Sequence, residues 1–166
     1  VVEEIKGLGG EAVANYDNVA TLEGGANIVK TALEAYGRVD ILINNAGVSL
    51  NGPLELLPLS EIRTLMEVNV LGLMAVTKAF LPLLRRGKGR IVNISSVAGR
   101  IAAIAQSPYV ASKWAFEGLS EGLAQELAPF GIRVVIIEPG VTKSAIFAKN
   151  VDAPNSTGAY DAHYRR

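Results

Sequence analysis

The chain has 166 residues with 16 basic and 16 acidic side chains, so its formal net charge is zero. This balance of charges predicts no nucleic-acid or anionic-membrane partner. It has no cysteine and one histidine, His163, which excludes disulfides and metal sites built on thiolates or several histidines, and we expect no bound metal. The most apolar stretch, 68–84, is broken by Asn69, Lys78 and Pro82 and predicts no membrane span. We expect a single domain in the cytoplasm.

Glycine, proline and hydrophobic periodicity divide the chain into helices and strands. The pattern predicts helices at 1–8, 22–36, 60–84 and 107–127, and strands at 11–16, 39–43, 90–94 and 132–137. Ser60 and Ser107 are predicted N-caps, and Pro108 suits the first position of its helix. Pro82 is expected to bend the end of the long helix.

Three of the predicted strands, at 39–43, 90–94 and 132–137, are almost continuously apolar. Continuous apolar strands are typical of sheets covered on both faces, and the helices between them indicate repeated βαβ units. The sequence therefore predicts an α/β fold with a doubly wound parallel sheet of Rossmann type and right-handed crossovers.

Each of these strands is followed by small or polar residues, at Asn44-Asn45-Ala46-Gly47, Ser95-Ser96 and Pro139-Gly140. In open parallel sheets, ligands bind outside the carboxyl ends of the strands. Small residues there let a ligand approach the backbone, and polar residues supply hydrogen bonds. We therefore expect a ligand site at this edge.

Tyr109 and Lys113 lie four residues apart on a predicted helix that begins at the same edge. Residues with this spacing share a helix face. An ammonium group beside a phenol stabilises the phenolate, so such a pair can exchange a proton near neutral pH. The spacing alone is common, and a pair of surface residues is the alternative interpretation.

Five motifs in order resemble the short-chain dehydrogenase/reductase family, nicotinamide-dependent oxidoreductases of alcohols and ketones. They are Asn44-Asn45-Ala46-Gly47, Asn69, Ser96, Tyr109 with Lys113, and Pro139-Gly140. The resemblance covers most of the chain, from residue 1 to about 144. The stretches Gly52-Pro53-Leu54-Glu55 and Glu138-Pro139-Gly140-Val141 look most like members that act on apolar alcohols such as steroids or retinoids.

The resemblance implies four catalytic residues. Tyr109 would be the general acid/base, and Ser96 would hydrogen-bond the substrate oxygen. Lys113 would stabilise the phenolate and hold the nicotinamide ribose, while Asn69 would hold a water next to Lys113. Two preplaced O–H donors would stabilise the charge that develops on a ketone oxygen.

The resemblance also implies NAD or NADP as cofactor and a small-molecule alcohol or ketone as substrate. Asp17, Asn18 and Val19 would border the adenine, and Asn44, Ala46 and Gly47 the adenosine and ribose. Pro139, Gly140 and Val141 would lie along the carboxamide. Thr142 or Ser144 would approach the amide or phosphates, and the sequence does not decide between the two hydroxyls.

The chain departs from the family because it has no glycine-rich βα turn for the pyrophosphate. We therefore expect one partial domain over 1–166, with 140–166 beginning the substrate-loop region, from a longer protein or a truncated gene product. The strand at 39–43 would then be an exposed edge. The full-length protein is expected to be a homo-oligomer, a dimer or tetramer.

Two other functions stay open on the sequence alone. The chain could be a non-catalytic remnant that acts as a dimerisation or interaction module, which the missing turn favours. It could also resemble nucleotide-sugar epimerases or dehydratases, which use the same Tyr-Lys pair, although Asn44-Asn45-Ala46-Gly47 fits the dehydrogenases better. The sequence decides neither the substrate nor the choice between NAD and NADP.

Overall fold

The computed structural model describes residues 1–142, 146, 151–152 and 158–161. The helices of these residues are α1 (Val2–Gly7), α2 (Leu22–Tyr36), α3 (Leu59–Met66), α4 (Leu73–Gly87) and α5 (Ser107–Leu127). The strands are β1 (Ile41–Asn44), β2 (Leu50–Asn51), β3 (Arg90–Ile94), β4 (Arg133–Ile137) and β5 (Val151–Asp152). A π-helical segment, Glu67–Gly72, joins α3 to α4, and 3-10 turns lie at Leu54–Leu56, Val97–Gly99 and Ala128–Phe130.

The main sheet has the strand order β1-β3-β4, and all its pairings are parallel. Leu42 pairs with Ile91, and Ile91 pairs with Val134. A second, two-residue parallel ladder joins β2 to β5. The predicted α/β fold with a parallel sheet is confirmed, and β1 lies at the sheet edge in the described residues, as expected.

Helices cover one face of the main sheet. Leu42 and Ile91 pack there with Val76, Phe80 and Leu84 of α4, and side chains of α2 and α5 complete the core. On the other face, Ile41 and Ile43 are 55% and 60% exposed, and Val135 and Ile137 are also exposed. The strands are therefore apolar on both faces, as predicted, while the helices α2, α4 and α5 cover only one of them.

Residues 11–16 form no strand, so that prediction was wrong. No described segment pairs with them, and an unpaired strand leaves its backbone groups to water. Side-chain contacts hold the segment instead. Asn15 Nδ2 donates to Asp17 Oδ2 at 2.7 Å and to Thr31 Oγ1 of α2 at 2.9 Å.

The two predicted serine caps were also wrong. The N-cap of α5 is Gln106, and Ser107 is the first residue of the helix itself. The N-cap of α3 is Pro58, and Ser60 is the second residue of that helix. Neither Gln106 nor Pro58 makes a side-chain cap bond. A tertiary contact sets the start of α5. Ala105 has a left-handed φ of 58°, and its carbonyl accepts a hydrogen bond from Gly52 N at 2.7 Å.

The long helix predicted at 60–84 is interrupted by the π-helical segment and runs on to Gly87. Gly72 ends that segment where the backbone of Val19 approaches: a Cβ on Gly72 would lie 2.8 Å from Val19 O. Such single-turn π segments often mark functional sites. Here the segment carries Asn69, which is buried.

The run Leu59–Gly87 is the one helix of the described residues that is long and apolar enough to cross a membrane by length and composition alone. Of its most apolar window, 44% is buried inside the fold. Val76, Phe80 and Leu84 of this run belong to the core. Packing against the sheet therefore accounts for its apolar composition.

Candidate active site

Lys113 links helix α5 to the carboxyl end of β3. Its Nζ donates a hydrogen bond to Ile94 O at 3.1 Å, and the residue is only 5% exposed. Ser96 follows Ile94 by two residues. The structure therefore brings the ammonium group to the strand end that carries Ser96.

Burial lowers the pKa of Lys113 from 10.5 to about 8, and the negative charge of Glu117 opposes this shift. Desolvation disfavours the charged form of a lysine, whereas a nearby carboxylate favours it. The Ile94 contact uses one of the three ammonium hydrogens. The other two can serve a ligand hydroxyl.

Tyr109 lies in the first turn of α5, on the same helix face as Lys113. Lys113 Nζ is 5.9 Å from the centroid of its ring. The half-buried tyrosine packs against the apolar cluster of Leu50, Leu57 and Leu65. These contacts hold the phenol ring near the ammonium group that was predicted to assist it.

Ser96 lies in the loop directly after β3, where the ladder with β4 continues. Ser95 N donates to Ile137 O at 2.8 Å, and Val97 N donates to Pro139 O at 3.0 Å. Ser96 Oγ accepts a hydrogen bond from Ala98 N at 3.1 Å, which leaves its own hydrogen available to a substrate oxygen. The structure thus places Ser96 next to Pro139, as parallel strand ends require.

Asn69 makes three hydrogen bonds through its buried side chain. Its Oδ1 accepts from Val48 N at 2.9 Å, and its Nδ2 donates to Val48 O at 2.9 Å and to Ser112 Oγ at 3.1 Å. Ser112 Oγ in turn donates to Tyr109 O at 2.7 Å. Asn69 therefore ties the loop after β1 to the Tyr109 helix, and its role in holding a water stays a prediction.

Ser112 and Val48 are the partners that the sequence analysis missed. Ser112 lies beside Lys113 on a helix that was already singled out, so its position was a usable signal. Nothing local marks Val48, because only its backbone is used.

Asn44 is buried at the end of β1, in a chain of polar side chains that crosses the sheet. Its Nδ2 donates to Thr77 Oγ1 at 2.8 Å and to Asn93 Oδ1 at 2.9 Å. Asn93 Nδ2 donates to Ser120 Oγ at 2.7 Å. The amide nitrogen of Asn44 is thus engaged in this network, which ties the end of β1 to α4 and β3.

Ala46 and Gly47 are half-buried in the loop that follows β1. A Cβ on Gly47 would lie 3.5 Å from Asn69 Oδ1, so this loop runs alongside the π-helical segment. The loop is therefore next to Asn69.

Asp17, Asn18 and Val19 form a turn before α2. Asp17 Oδ1 accepts from Asn27 Nδ2 at 2.9 Å, and Asn18 Oδ1 accepts from Ala20 N at 2.9 Å. The carbonyl of Val19 lies over Gly72. The structure connects this turn to the π-helical segment, and its predicted contact with adenine stays a prediction.

Pro139, Gly140, Val141 and Thr142 follow β4, and all but the half-buried Pro139 are exposed. Among the described residues, no atom lies within 4 Å of a Cβ built on Gly140. Ser144, the other hydroxyl considered for the cofactor, lies outside the described residues. Within the part of the chain that the structure describes, Thr142 is exposed and takes no part in the buried networks of Asn44 and Asn69.

The described residues fit the nicotinamide half of a dinucleotide. In the described residues the buried ammonium group gives one hydrogen to Ile94 O, and its other hydrogens suit ribose hydroxyls. Pro139, which precedes the exposed Gly140, accepts a hydrogen bond from Val97, the residue after Ser96. The chain has no glycine-rich turn, so these residues do not provide the pyrophosphate anchor of such folds.

A parallel Rossmann-type sheet with hydroxyl and ammonium groups at its carboxyl edge is the arrangement of dinucleotide-dependent α/β enzymes. The family model described as short chain dehydrogenase matches residues 1–155. The chain belongs to this family.

Three curated relatives illustrate the similarity. The chain is 41% identical over 140 residues to an uncharacterized oxidoreductase, YusZ, of Bacillus subtilis, covering 81% of this chain and 50% of the relative. It is 48% identical over 99 residues to mitochondrial D-beta-hydroxybutyrate dehydrogenase of Bos taurus, covering 60% of this chain and 29% of the relative. It is 46% identical over 109 residues to human retinol dehydrogenase 16, covering 65% of this chain and 34% of the relative. The chain thus spans half or less of each of these relatives.

Two solved structures are similar along most of the chain. A short-chain dehydrogenase/reductase from Burkholderia phymatum in complex with NAD has a TM-score of 0.85 at 28% identity, covering 89% of this chain and 54% of that one. A metagenomic short-chain oxidoreductase in complex with NADP has a TM-score of 0.79 at 36% identity, covering 84% of this chain and 64% of that one. The cofactors of this family are NAD and NADP.

Proposed function

We propose that this chain is the catalytic part of an NAD(P)-dependent oxidoreductase that interconverts a secondary alcohol and a ketone, with Tyr109 as general acid/base. The observation that carries the proposal is the position of Lys113. Its ammonium group is buried, fixed to Ile94 O at 3.1 Å and 5.9 Å from the ring centroid of Tyr109. A charge held in a site of low dielectric acts strongly on its neighbours.

In the proposed oxidation, Tyr109 as phenolate removes the proton of the substrate hydroxyl. Lys113 stabilises the phenolate, and Ser96 donates a hydrogen bond to the substrate oxygen. In reduction, the phenol returns the proton to the oxygen as negative charge develops there. The bound coenzyme supplies or accepts the hydride. Asn69 supports the site by holding the loop after β1 against the Tyr109 helix.

The segment between Ser96 and Tyr109 favours an apolar substrate. Val97, Ile101 and Ile104 are 41%, 60% and 67% exposed on it. Exposed apolar side chains beside a site commonly bind an apolar ligand. The similarity to a retinol dehydrogenase agrees with this choice.

The test measures coenzyme-dependent oxidation of a panel of secondary alcohols, from short to long and apolar, by the complete protein that carries this sequence. Tyr109→Phe should lower kcat by about 10²- to 10⁴-fold, because one proton donor is removed. Tyr36→Phe, a change of an exposed tyrosine at the end of α2, is the matched control. A Tyr109→Phe protein that keeps most of its turnover would contradict the proposal.

A further inference from the structure

Arg100 lies between three carboxylates that come from two parts of the fold. Its Nε is 2.7 Å from Glu138 Oε1, its Nη2 3.2 Å from Glu117 Oε2 and its Nη1 3.5 Å from Glu121 Oε1. Glu117 and Glu121 belong to α5, whereas Glu138 follows β4. One guanidinium group therefore connects two elements to the loop after β3.

The contacts with Glu117 and Glu138 adjoin residues of the proposed site. Arg100 directly follows the 3-10 turn that Ser96 caps, and Glu138 directly precedes Pro139. Glu117 lies one helical turn after Lys113, which itself lies one turn after Tyr109. The contact between Arg100 and Glu138 thus joins the loop after β3 to the end of β4, as the backbone hydrogen bond from Val97 N to Pro139 O also does.

Glu117 gives this cluster its importance. Its side chain is 5% exposed, whereas those of Glu121 and Glu138 are 59% and 36% exposed. In the described part of the chain, neither carboxylate oxygen of Glu117 accepts a hydrogen bond of good geometry. Its nearby cations are Arg100 across the loop and Lys113 on its own helix. A buried carboxylate without a paired cation is strongly unfavourable, so Glu117 depends on Arg100 staying in place.

The backbone leaves room for this contact at Gly99. A Cβ there would lie 2.8 Å from Glu117 Oε1 and 2.9 Å from Ser95 Oγ. The turn that Ser96 caps and α5 therefore pack closely at Gly99, where a side chain would collide with Glu117.

We propose that Arg100 is a positioning residue: it holds the Ser96 turn, the helix of Tyr109 and Lys113, and the end of β4 in one fixed arrangement. The inference rests on the proposed function, because the arrangement it fixes is that of the proposed proton-transfer groups. Three contacts from one planar group restrain the relative orientation of three elements better than separate ion pairs would.

The test uses the complete protein with its coenzyme. Arg100→Gln should lower kcat by about 10- to 100-fold per folded molecule, because a displacement of about 1 Å has effects of that size, while KM changes little. Arg100→Lys keeps the charge beside Glu117 but cannot contact three carboxylates at once, so it should recover only part of kcat. A purely electrostatic role would instead be fully rescued by lysine.

Matched variants isolate the effect. Arg38→Gln removes an exposed arginine that contacts Asp40 at 2.6 Å and should leave kcat within twofold. Glu121→Gln removes the longest and most exposed contact of Arg100 and should also have little effect. Arg100→Gln combined with Glu117→Gln should lose no more kcat than the larger single loss, since both remove one interaction.

Hydrogen exchange of the complete protein separates this inference from the proposed function. The Val97 amide, which donates to Pro139 O, should exchange at least about tenfold faster in Arg100→Gln and unchanged in Arg38→Gln. If the unmodified protein turns over no alcohol, the proposed function fails and this exchange result alone decides the inference. Unchanged Val97 exchange, or an unchanged kcat per folded molecule in an active protein, would overturn it.

Discussion

Lys113 Nζ and Ile94 O are joined by a hydrogen bond of 3.1 Å across 19 residues of sequence. The bond fixes one ammonium group between the helix of Tyr109 and the strand end that leads to Ser96. A surface lysine would sample many positions, whereas this one is buried and directed. The bond therefore separates the proposed catalytic pair from a chance pair of surface residues.

The first prediction concerns the charge of Lys113. Its folded-state pKa is lowered from 10.5 to about 8 by burial. Below about pH 8 the folded protein therefore bears the cost of a buried charge, and this group adds stability as pH rises from about 8 to 10.5. The difference in unfolding free energy between the unmodified chain and Lys113→Met should grow in favour of the unmodified chain across that range.

Glu117→Gln provides the companion measurement. Glu117 raises the pKa of Lys113, so its neutralisation should move the Lys113 titration below about pH 8. Arg100 faces Glu117 from the loop, and Glu121 and Glu138 lie beyond Arg100, so Glu121→Gln is the matched control and should shift the titration less. NMR of the lysine side chain reports the value directly. An upward shift in Glu117→Gln would contradict the assignment.

The second prediction concerns Asn69. Asn69→Leu keeps a similar volume but leaves Val48 N, Val48 O and Ser112 Oγ without their partner. Each buried group left unsatisfied costs about 1–3 kcal/mol, so denaturant unfolding should show a loss of at least about 2 kcal/mol. Asn27→Ala, which removes one exposed bond to Asp17, should cost well under about 1 kcal/mol. Equal losses in the two variants would show that the Asn69 contacts are weak.

The third prediction compares two helical glycines. Gly72→Ala would place a Cβ 2.8 Å from Val19 O and 3.0 Å from Glu67 O, both backbone atoms, so it should destabilise the fold. Gly118→Ala meets nothing within 4 Å in the interior of α5 and should stabilise it by about 0.5–1 kcal/mol. Thermal unfolding of both variants of the 166-residue chain checks the sign. A stabilised Gly72→Ala would mean that the turn at 17–20 does not press on this helix.

The fourth prediction concerns the 166-residue chain by itself. It should bind NAD(P)H weakly and turn over no alcohol at a useful rate, because none of its residues forms a glycine-rich pyrophosphate site and positioning contributes several kcal/mol to hydride transfer. In the described residues β1 also lies at the edge of the main sheet, and an open strand edge should favour association. Fluorescence titration with the reduced coenzyme measures the affinity. Micromolar binding with steady turnover would be the opposite result.

The sequence by itself determined the main parallel sheet and the edge at which the polar residues after its strands meet. Apolar strands such as Arg90–Ile94 and polar residues directly after them are local features, and parallel pairing places their ends together whatever the side chains do next. Tyr109 and Lys113 were predictable for the same reason, because a spacing of four residues fixes their common face on α5.

Only the tertiary structure decided how those residues are held. The segment 11–16 reads as a strand but has no neighbour to pair with, and α5 begins where Gly52 bonds Ala105 rather than at a serine cap. Asn69 meets Val48 and Ser112, and Arg100 meets Glu117 and Glu138, only after the chain has folded. Strand pairing, buried hydrogen bonds and ion pairs join residues far apart in sequence, and local propensity carries no information about such partners.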